Sequence, residues 1–353
     1  MLKKSRFVEM FGSPLTNEKK WPVKTWEEAI TIVNGRNQKK VECDNGQYPI
    51  CGSGGEMGRA NDYLTRENSV IIGRKGNINN PILMKEKFWN VDTAFGLEPN
   101  SEMLNVDYLY EFCRQFDFER LNKTVTIPSL TKADLLKIEI PIPPLDLQNR
   151  YSEFKDQLDK LKVILEKIDE KFELLKKSRF VELFGEPNTN SLNLPLKRFD
   201  EICENLDSKR IPITSSDRKE GKYPYYGASG VVDWVDEYIF DEDLLLISED
   251  GANLVARVSP IAFSVKGKTW VNNHAHVLRF KEYALQKYVE FYFNSINISS
   301  MVSGTAQPKL NQKMLNERLI PIPSKEKLEE FTNFWKQLDK LKVDMVSKLL
   351  QLV

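Results

Sequence analysis

Histidine is nearly missing from this chain: His274 and His276 are the two present in 353 residues. A His-x-His pair on a strand can turn two imidazoles to one face, but a zinc site needs three or four ligands and no third lies nearby in sequence. A half-exposed polar edge is the better reading, and no metal is expected. Cysteine is scarce as well. Cys43, Cys51, Cys113 and Cys203 show no C-x-x-C or other metal spacing. They read as reduced thiols of a cytoplasmic protein, without a disulfide framework. No apolar run approaches the ~20 residues that span a bilayer. At the N-terminus, Lys3, Lys4 and Arg6 are followed by Glu9 rather than by the apolar stretch of a signal peptide. Excess charge of one sign is absent too, with 51 basic and 51 acidic residues. Bulk charge therefore gives no argument for a phosphate-rich partner, although local basic patches stay open.

Catalytic signatures are also missing. "KGKT" at 266–269 ends like a phosphate-binding loop, but Ala262 stands where its first glycine belongs. "GSGGEMG" at 52–58 is glycine-rich, yet the matching "GASGVVD" at 227–233 loses the last glycine, so a turn-rich loop is expected. "IPIPP" at 140–144 is not the Asn/Asp-Pro-Pro-aromatic motif of amino-methyltransferases. The adjacent carboxylates of "ISED" at 247–250 face Gly73, Arg74 and Lys75 at the matching place, which favours a solvated turn over an acid–base pair. The chain reads as non-catalytic.

What the sequence does contain is a repeat. "LKKSRFVEMFGSP" at 2–14 returns as "LKKSRFVELFGEP" at 175–187. "IPIP" and "QLDKLKV" at 140–163 recur at 320–343, and a Pro-x-Leu precedes each, as Pro128 with Leu130 and Pro308 with Leu310. "YPICGSGG" (48–55) matches "YPYYGASG" (223–230), and "VIIGRKGNIN" (70–79) matches "LLISEDGANL" (245–254). "WNVDTAFGLEP" (89–99) lies opposite "WVNNHAHVLRF" (270–280). Shared Gly and Pro keep a fold, while differing polar residues suggest different targets. The C-terminus stops where the N-terminus begins, so the chain reads as a circle of two repeats cut inside one copy of a helix.

In the central segment, Leu147, Tyr151, Phe154, Leu158, Leu161, Leu165, Ile168, Phe172 and Leu175 follow at alternating steps of four and three. That is a heptad seam. Phe331, Phe334, Leu338, Leu341, Met345 and Leu352 repeat it, with Lys348 as a lapse. Because the two helices link the same two bodies in opposite senses, an antiparallel pair is expected. The expected fold is α+β: two similar globular domains joined by a long antiparallel two-helix coiled coil with pseudo-twofold, circularly repeated organisation. The expected boundaries are 1–14 for a helix end completing the C-terminal helix, 15–144 and 187–323 for the two globular domains, and 145–186 and 324–353 for the spacer helices. Met1 and Val353 are expected close together. The roughly 38-residue central helix would be ~57 Å long, and two equivalent modules on a rigid spacer suit a split duplex site.

The polar loops suit recognition better than catalysis. Candidate DNA-contacting residues are Arg36, Asn37, Gln38, Lys39, Lys40, Arg74, Lys75 and Asn77 in the first repeat. In the second they are Lys209, Arg210, Arg218, Lys219, Lys266, Lys268, Asn272 and Asn273, within "DSKRIPITSSDRKEGK", around "KGKT" and in "NNH". Such side chains hold phosphates and read base edges. Tyr48, Tyr223, Tyr225, Tyr226 and Trp234 lie beside turns, where they suit stacking or wedging, though buried Tyr and Trp usually belong to the core. A coiled-coil adaptor without DNA contact and a duplicated ligand-binding protein are the alternative readings.

The combination of the circular repeat, Tyr-Pro-x-x-Gly-x-x-Gly, Pro-x-Leu with "IPIP", "QLDKLKV" and "KKSRFVE-x-FG-x-P" resembles the specificity (S) subunit of type I restriction–modification systems over essentially the whole chain. The resemblance implies two target-recognition domains, each reading one half of a bipartite asymmetric DNA site, with helices that set the spacing. It implies partners: double-stranded DNA, two DNA methyltransferase subunits and, in some complexes, restriction–translocase subunits. S-adenosylmethionine, ATP and Mg²⁺ would belong to those partners, leaving no cofactor in this chain.

Overall fold

The duplicated phrase ends a helix, and local chemistry explains where. In the computed structural model, which describes residues 2–122, 128–304 and 307–350, α1 (Leu2–Phe11) stops at Gly12, whose φ of 74° is left-handed. The Gly12 N–H returns to the Val8 carbonyl at 2.8 Å. Gly185, at φ 78°, bonds Val181 at 2.8 Å in the same way. A left-handed glycine at this place is a common helix stop because it lacks a Cβ to clash. The chain divides into two compact units inside the long central helix, between Val163 and Ile164.

Unit 1 continues with β1 (Val23–Thr25), α2 (Trp26–Ala29), β2 (Ile30–Asn34), β3 (Tyr48–Gly52), β4 (Gly55–Ala60), β5 (Ser69–Gly73), β6 (Ile82–Met84), β7 (Trp89–Asn90) and β8 (Ala94–Pro99). Then come α3 (Val106–Gln115), α4 (Lys132–Leu135), β9 (Glu139–Pro141) and the 40-residue α5 (Leu145–Phe184). The main sheet has the order β2-β8-β5-β6, antiparallel throughout. A smaller sheet, β4-β3-β7, contains one parallel pairing. All five residues of β5 are buried, as expected for a central strand. The "IPIP" motif supplies β9, which pairs with β1, and its prolines then lead into α5.

Unit 2 repeats the plan with β10 (Leu196–Arg198), α6 (Phe199–Ile202), β11 (Glu204–Asn205), β12 (Glu220–Gly227), β13 (Gly230–Val235), β14 (Phe240–Asp241), β15 (Leu244–Ser248), α7 (Asn253–Ala256), β16 (Ala262–Val265), β17 (Lys268–Val271) and β18 (Ala275–Arg279). It closes with α8 (Tyr283–Ser295), α9 (Gln312–Asn316), β19 (Leu319–Pro321) and α10 (Lys325–Leu350). The sheet orders are β11-β18-β15-β16 and β13-β12-β17-β14.

Each unit holds its helix pair by the same aromatic box. Phe7 lies 5.5 Å from Tyr108 and 5.3 Å from Tyr151, and Phe11 lies 5.0 and 5.7 Å from the same rings. In unit 2, Phe180 lies 5.4 Å from Tyr288 and 5.5 Å from Phe331, and Phe184 lies 4.9 and 5.4 Å from them. Ion pairs repeat as well: Lys3–Asp159 at 2.5 Å and Lys176–Asp339 at 3.3 Å. The helices run antiparallel within each unit. Phe7 meets Tyr151 while Lys3 meets Asp159, and Phe180 meets Phe331 while Asp169 meets Lys342.

The heptad seam needs two corrections. From Leu147 to Phe172 every seam residue of α5 is buried or half-buried, but Leu175 is 49% exposed. Lys176 takes the inward place instead, with its ammonium 4.5 Å from the Trp335 ring centroid. On α10, Leu341 is 50% exposed and the half-buried Lys342 stem replaces it, while Phe331, Phe334, Leu338 and Met345 face inward as expected. A lysine stem covers apolar surface while its charge finds an aromatic face or a carboxylate, which the binary pattern does not register. Leu352 and the expected approach of Met1 to Val353 lie outside the described residues.

Phe180→Ala should destabilise the protein by about 3–5 kcal/mol, as for other buried aromatic truncations. Leu175→Ala should change stability by less than about 0.5 kcal/mol. Urea unfolding of both variants checks the reassigned seam.

Candidate nucleic-acid interface

Four segments of unit 1 converge on one end of its main sheet, around the turn at 91–93. The Gly35 and Arg36 N–H groups donate to the Ala94 and Asn90 carbonyls at 3.2 and 3.0 Å. Arg74 and Lys75 N–H groups donate to Thr93 O at 2.8 and 3.3 Å. The Pro-x-Leu segment closes the arrangement: Gly76 N–H donates to Pro128 O at 3.0 Å, and Leu130 N–H to Arg74 O at 2.9 Å. Trp89 Nε1 donates to Arg36 O at 2.9 Å and ties the long loop down.

Unit 2 repeats three of these backbone bonds. Glu249 N–H donates to His274 O at 2.9 Å, Gly251 N–H to Pro308 O at 3.0 Å, and Leu310 N–H to Glu249 O at 2.7 Å. Trp270 Nε1 donates to Ile211 O at 2.6 Å, as Trp89 does to Arg36. The sequence flagged the Pro-x-Leu segments and both tryptophans as repeated features, but not as the ties that hold these loops.

On this common frame the side chains differ in charge. In unit 1, Arg36, Asn37, Lys39, Lys40, Lys75 and Asn77 are exposed, and Gln38 and Arg74 are half-buried. The Arg74 guanidinium lies 5.7 Å from the Phe95 ring centroid, with no carboxylate partner among the described residues. In unit 2, Glu249 occupies the place of Arg74 and His276 that of Phe95. His276 has no exposed side-chain surface. The half-exposed edge expected for it is therefore wrong. Its Nδ1 lies 2.6 Å from Asp207 Oδ2 and its Nε2 2.8 Å from Leu310 O. The imidazole thus bridges two acceptors, a carboxylate oxygen and a backbone carbonyl. The solvated turn expected for "ISED" is also corrected, because Glu249 is buried. Its carboxylate accepts from Arg210 at 2.6 Å and pairs with Lys309 at 3.1 Å.

Asp207, Glu249 and His276 bring their ligand-type atoms within 4.8 Å of one another. Arg210 and Lys309 already pair with the carboxylates and Asp207 occupies His276 Nδ1, so the cluster closes on itself through ion pairs and hydrogen bonds. Burial alone would raise the Asp207 carboxyl. The His276 hydrogen bond and charge, the Val277 N–H and Arg210 outweigh it and hold Asp207 below the usual range. For Glu249, burial is likewise overcome by Arg210, His276 and Lys309.

The second repeat's candidates are scattered. Lys209, Lys219 and Asn273 are exposed. Arg210 is corrected from a DNA contact to an interior ion: its side chain is 13% exposed, donates to Ala275 O at 2.8 Å and pairs with Glu249. Asn272 is buried, with Oδ1 accepting from His274 N–H at 2.8 Å. Arg218 is half-buried over Tyr225 at 4.6 Å and pairs with Asp233 at 3.1 Å. Lys268 opens β17 and Lys266 lies in the turn before it, with Lys268 about 13 Å along the strand direction from Asn272. Lys268 covers Tyr238 at 4.7 Å in a cluster with Tyr223, and unit 1 repeats it with Lys87 over Tyr63 beside Tyr48. Tyr225 is core, donating nothing to solvent, whereas Trp234 is exposed and Tyr226 half-buried.

Both buried carboxyls titrate below their unfolded values. Their contribution to stability is therefore present above the ordinary carboxylate range and lost as pH falls through the lowered values. Thermal unfolding should show an acid-induced loss below about pH 4. Asp207→Asn should cost about 3–5 kcal/mol at neutral pH and flatten that acid limb, measured by urea unfolding across pH.

Comparison with known proteins follows the same duplication. The family model described as the type I restriction modification DNA specificity domain matches residues 18–176 and again 195–353. A type I restriction enzyme specificity subunit of Haemophilus influenzae is 35% identical over 127 residues, or 36% of this chain and 32% of the relative, so the match spans about a third of that protein. A type I specificity subunit of Mycoplasma pneumoniae is 22% identical over 241 residues, covering 65% of this chain and 85% of the relative. The crystal structure of the type I restriction–modification S subunit from M. genitalium shares the fold with a TM-score of 0.56 at 17% identity, covering 93% of this chain and 96% of that one. With both halves matched by the same model, the chain belongs to the type I restriction modification DNA specificity domain family and carries that domain twice.

Proposed function

We propose that the chain is the non-catalytic DNA-recognition subunit of a type I restriction–modification complex, each unit reading one half of a bipartite, asymmetric duplex site. One observation carries this reading. Two units share one backbone frame of loops, with the hydrogen bonds to the turn and to the Pro-x-Leu segment repeated, yet present different outward side chains on it. A frame kept while its polar tips change is suited to reading two different sequences. Phosphate-holding residues position such a module and base-edge contacts give it specificity. Arg36, Arg74 and Lys75 around one turn in unit 1, and Lys209 with Asn273 in unit 2, supply both kinds of group.

In this reading the helical segments set the number of base pairs between the half-sites and dock two methyltransferase subunits, to which restriction–translocase subunits add. The adenine-methylating and cleaving chemistry, with S-adenosylmethionine, ATP and Mg²⁺, belongs to those partners. The complex acts in the cytoplasm, where its DNA lies.

Binding of the methyltransferase-loaded chain to a duplex bearing its site should weaken linearly with the logarithm of salt concentration. Arg74→Ala and Lys209→Ala should each weaken binding and lower the salt slope by about one. Affinity indifferent to salt would overturn the DNA reading, and unchanged slopes for both variants would remove those two residues from the interface.

A further inference from the structure

The turn at 272–274 in unit 2 is held at every residue. Asn272 N–H donates to Tyr226 O at 3.0 Å, and His274 N–H donates to Asn272 Oδ1 at 2.8 Å. The His274 carbonyl accepts from Glu249 N–H at 2.9 Å. Arg210, itself locked into the buried ionic cluster, reaches Asn273 O at 3.4 Å and Ala275 O at 2.8 Å. On this rigid backbone one side chain is both outward and oriented. His274 is 49% exposed, while the Asp250 beneath it is 15% exposed and brings both carboxylate oxygens to His274 Nδ1, at 2.9 and 3.0 Å. Asp250 is fixed in turn, since it is bridged to Lys309 and followed by Gly251 bonded to Pro308 O.

A carboxylate accepts only, so Nδ1 carries the proton and the neutral ring keeps its lone pair on Nε2, the nitrogen away from Asp250. An outward acceptor on a fixed turn is matched by an exocyclic amino group, N6 of adenine or N4 of cytosine, in the major groove. Lys209, exposed on the adjoining loop, and Lys309, half of whose side chain is exposed, supply positive charge nearby for flanking phosphates. Unit 1 has no counterpart to this dyad, because Thr93 stands at the place of His274 and Lys75 at that of Asp250.

We propose that His274, oriented by Asp250, is a specificity-determining residue of unit 2 that reads the amino group of one adenine or cytosine in its half-site. This rests on the DNA-recognition reading above. A surface ion pair with no reading role would affect stability slightly and base preference not at all.

The test uses the full chain assembled with its methyltransferase subunits and competition binding against duplexes varied one base pair at a time in both half-sites. Wild-type complex is measured first, and absence of any sequence preference there would sink the recognition reading and this assignment with it. Given wild-type preference, His274→Ala should lower discrimination about ten- to hundred-fold at one base pair of one half-site, leaving the other half-site unchanged. Asp250→Ala should relax the same position to a smaller degree. His274→Gln, which keeps an acceptor, should restore part of the preference. Discrimination unchanged at every position, or a loss spread evenly over all sequences, would overturn the role assigned to His274. Thermal unfolding of each variant separates either result from a failure to fold.

Discussion

Everything else in each unit hangs from the packing of two phenylalanines, one turn apart on a helix end, against a tyrosine of the domain and an aromatic ring of the facing helix. Phe7 and Phe11 do this in unit 1, and Phe180 and Phe184 in unit 2. These rings belong to the largest buried side chains, and large aromatic burial dominates core energetics. The box joins helix pair, α3 or α8, and sheet into one core, so loops at the sheet's end inherit a fixed foundation. It also explains why the repeated phrase is so alike in its two copies: Lys, Arg, Phe and the stopping glycine each have an assigned neighbour.

Above that foundation the units diverge in how they handle charge at one shared spot. Unit 1 lays a guanidinium on a phenyl face, which needs little desolvation of a counter-ion. Unit 2 gathers opposite charges, Asp207, Glu249, His276 and Arg210, in its interior and closes them with the half-exposed Lys309. Such a cluster is tolerated because its buried charges are paired with one another, and breaking it is costly for the same reason. The cluster spans the 207–210 segment, the turn after β15, strand β18 and the Pro-x-Leu segment, and so fixes three loops and a strand relative to one another.

Much of this organisation was legible in the sequence. The repeat showed two similar domains with their motifs in the same order, and the heptad spacing showed the seam as far as Phe172, because both are periodic and local. Legibility ended where burial was decided by partners distant in the chain. Lys176 is inward because Trp335 and Asp339 wait for it, and nothing near Lys176 announces them. Arg210 and His276 resemble surface polar residues until Asp207, Glu249 and the Leu310 carbonyl are brought beside them. Asn272 likewise has the composition of a reader, but its amide side chain is used in shaping its own turn. A polar residue in a loop is thus a candidate for recognition or for the loop's internal wiring, and only three-dimensional neighbours separate the two.

The satisfied cluster in unit 2 also shapes how this protein can change over generations. Replacing Asp207, Glu249 or His276 singly strands a buried partner, so a lineage drifting one substitution at a time meets a fitness valley at those positions. Asn273 lies on the outer side of that barrier, exposed on the turn, where a new side chain disturbs no buried charge. Stepwise evolution is thereby channelled to the rim, while the interior wiring behaves as an inherited block that is kept or replaced whole.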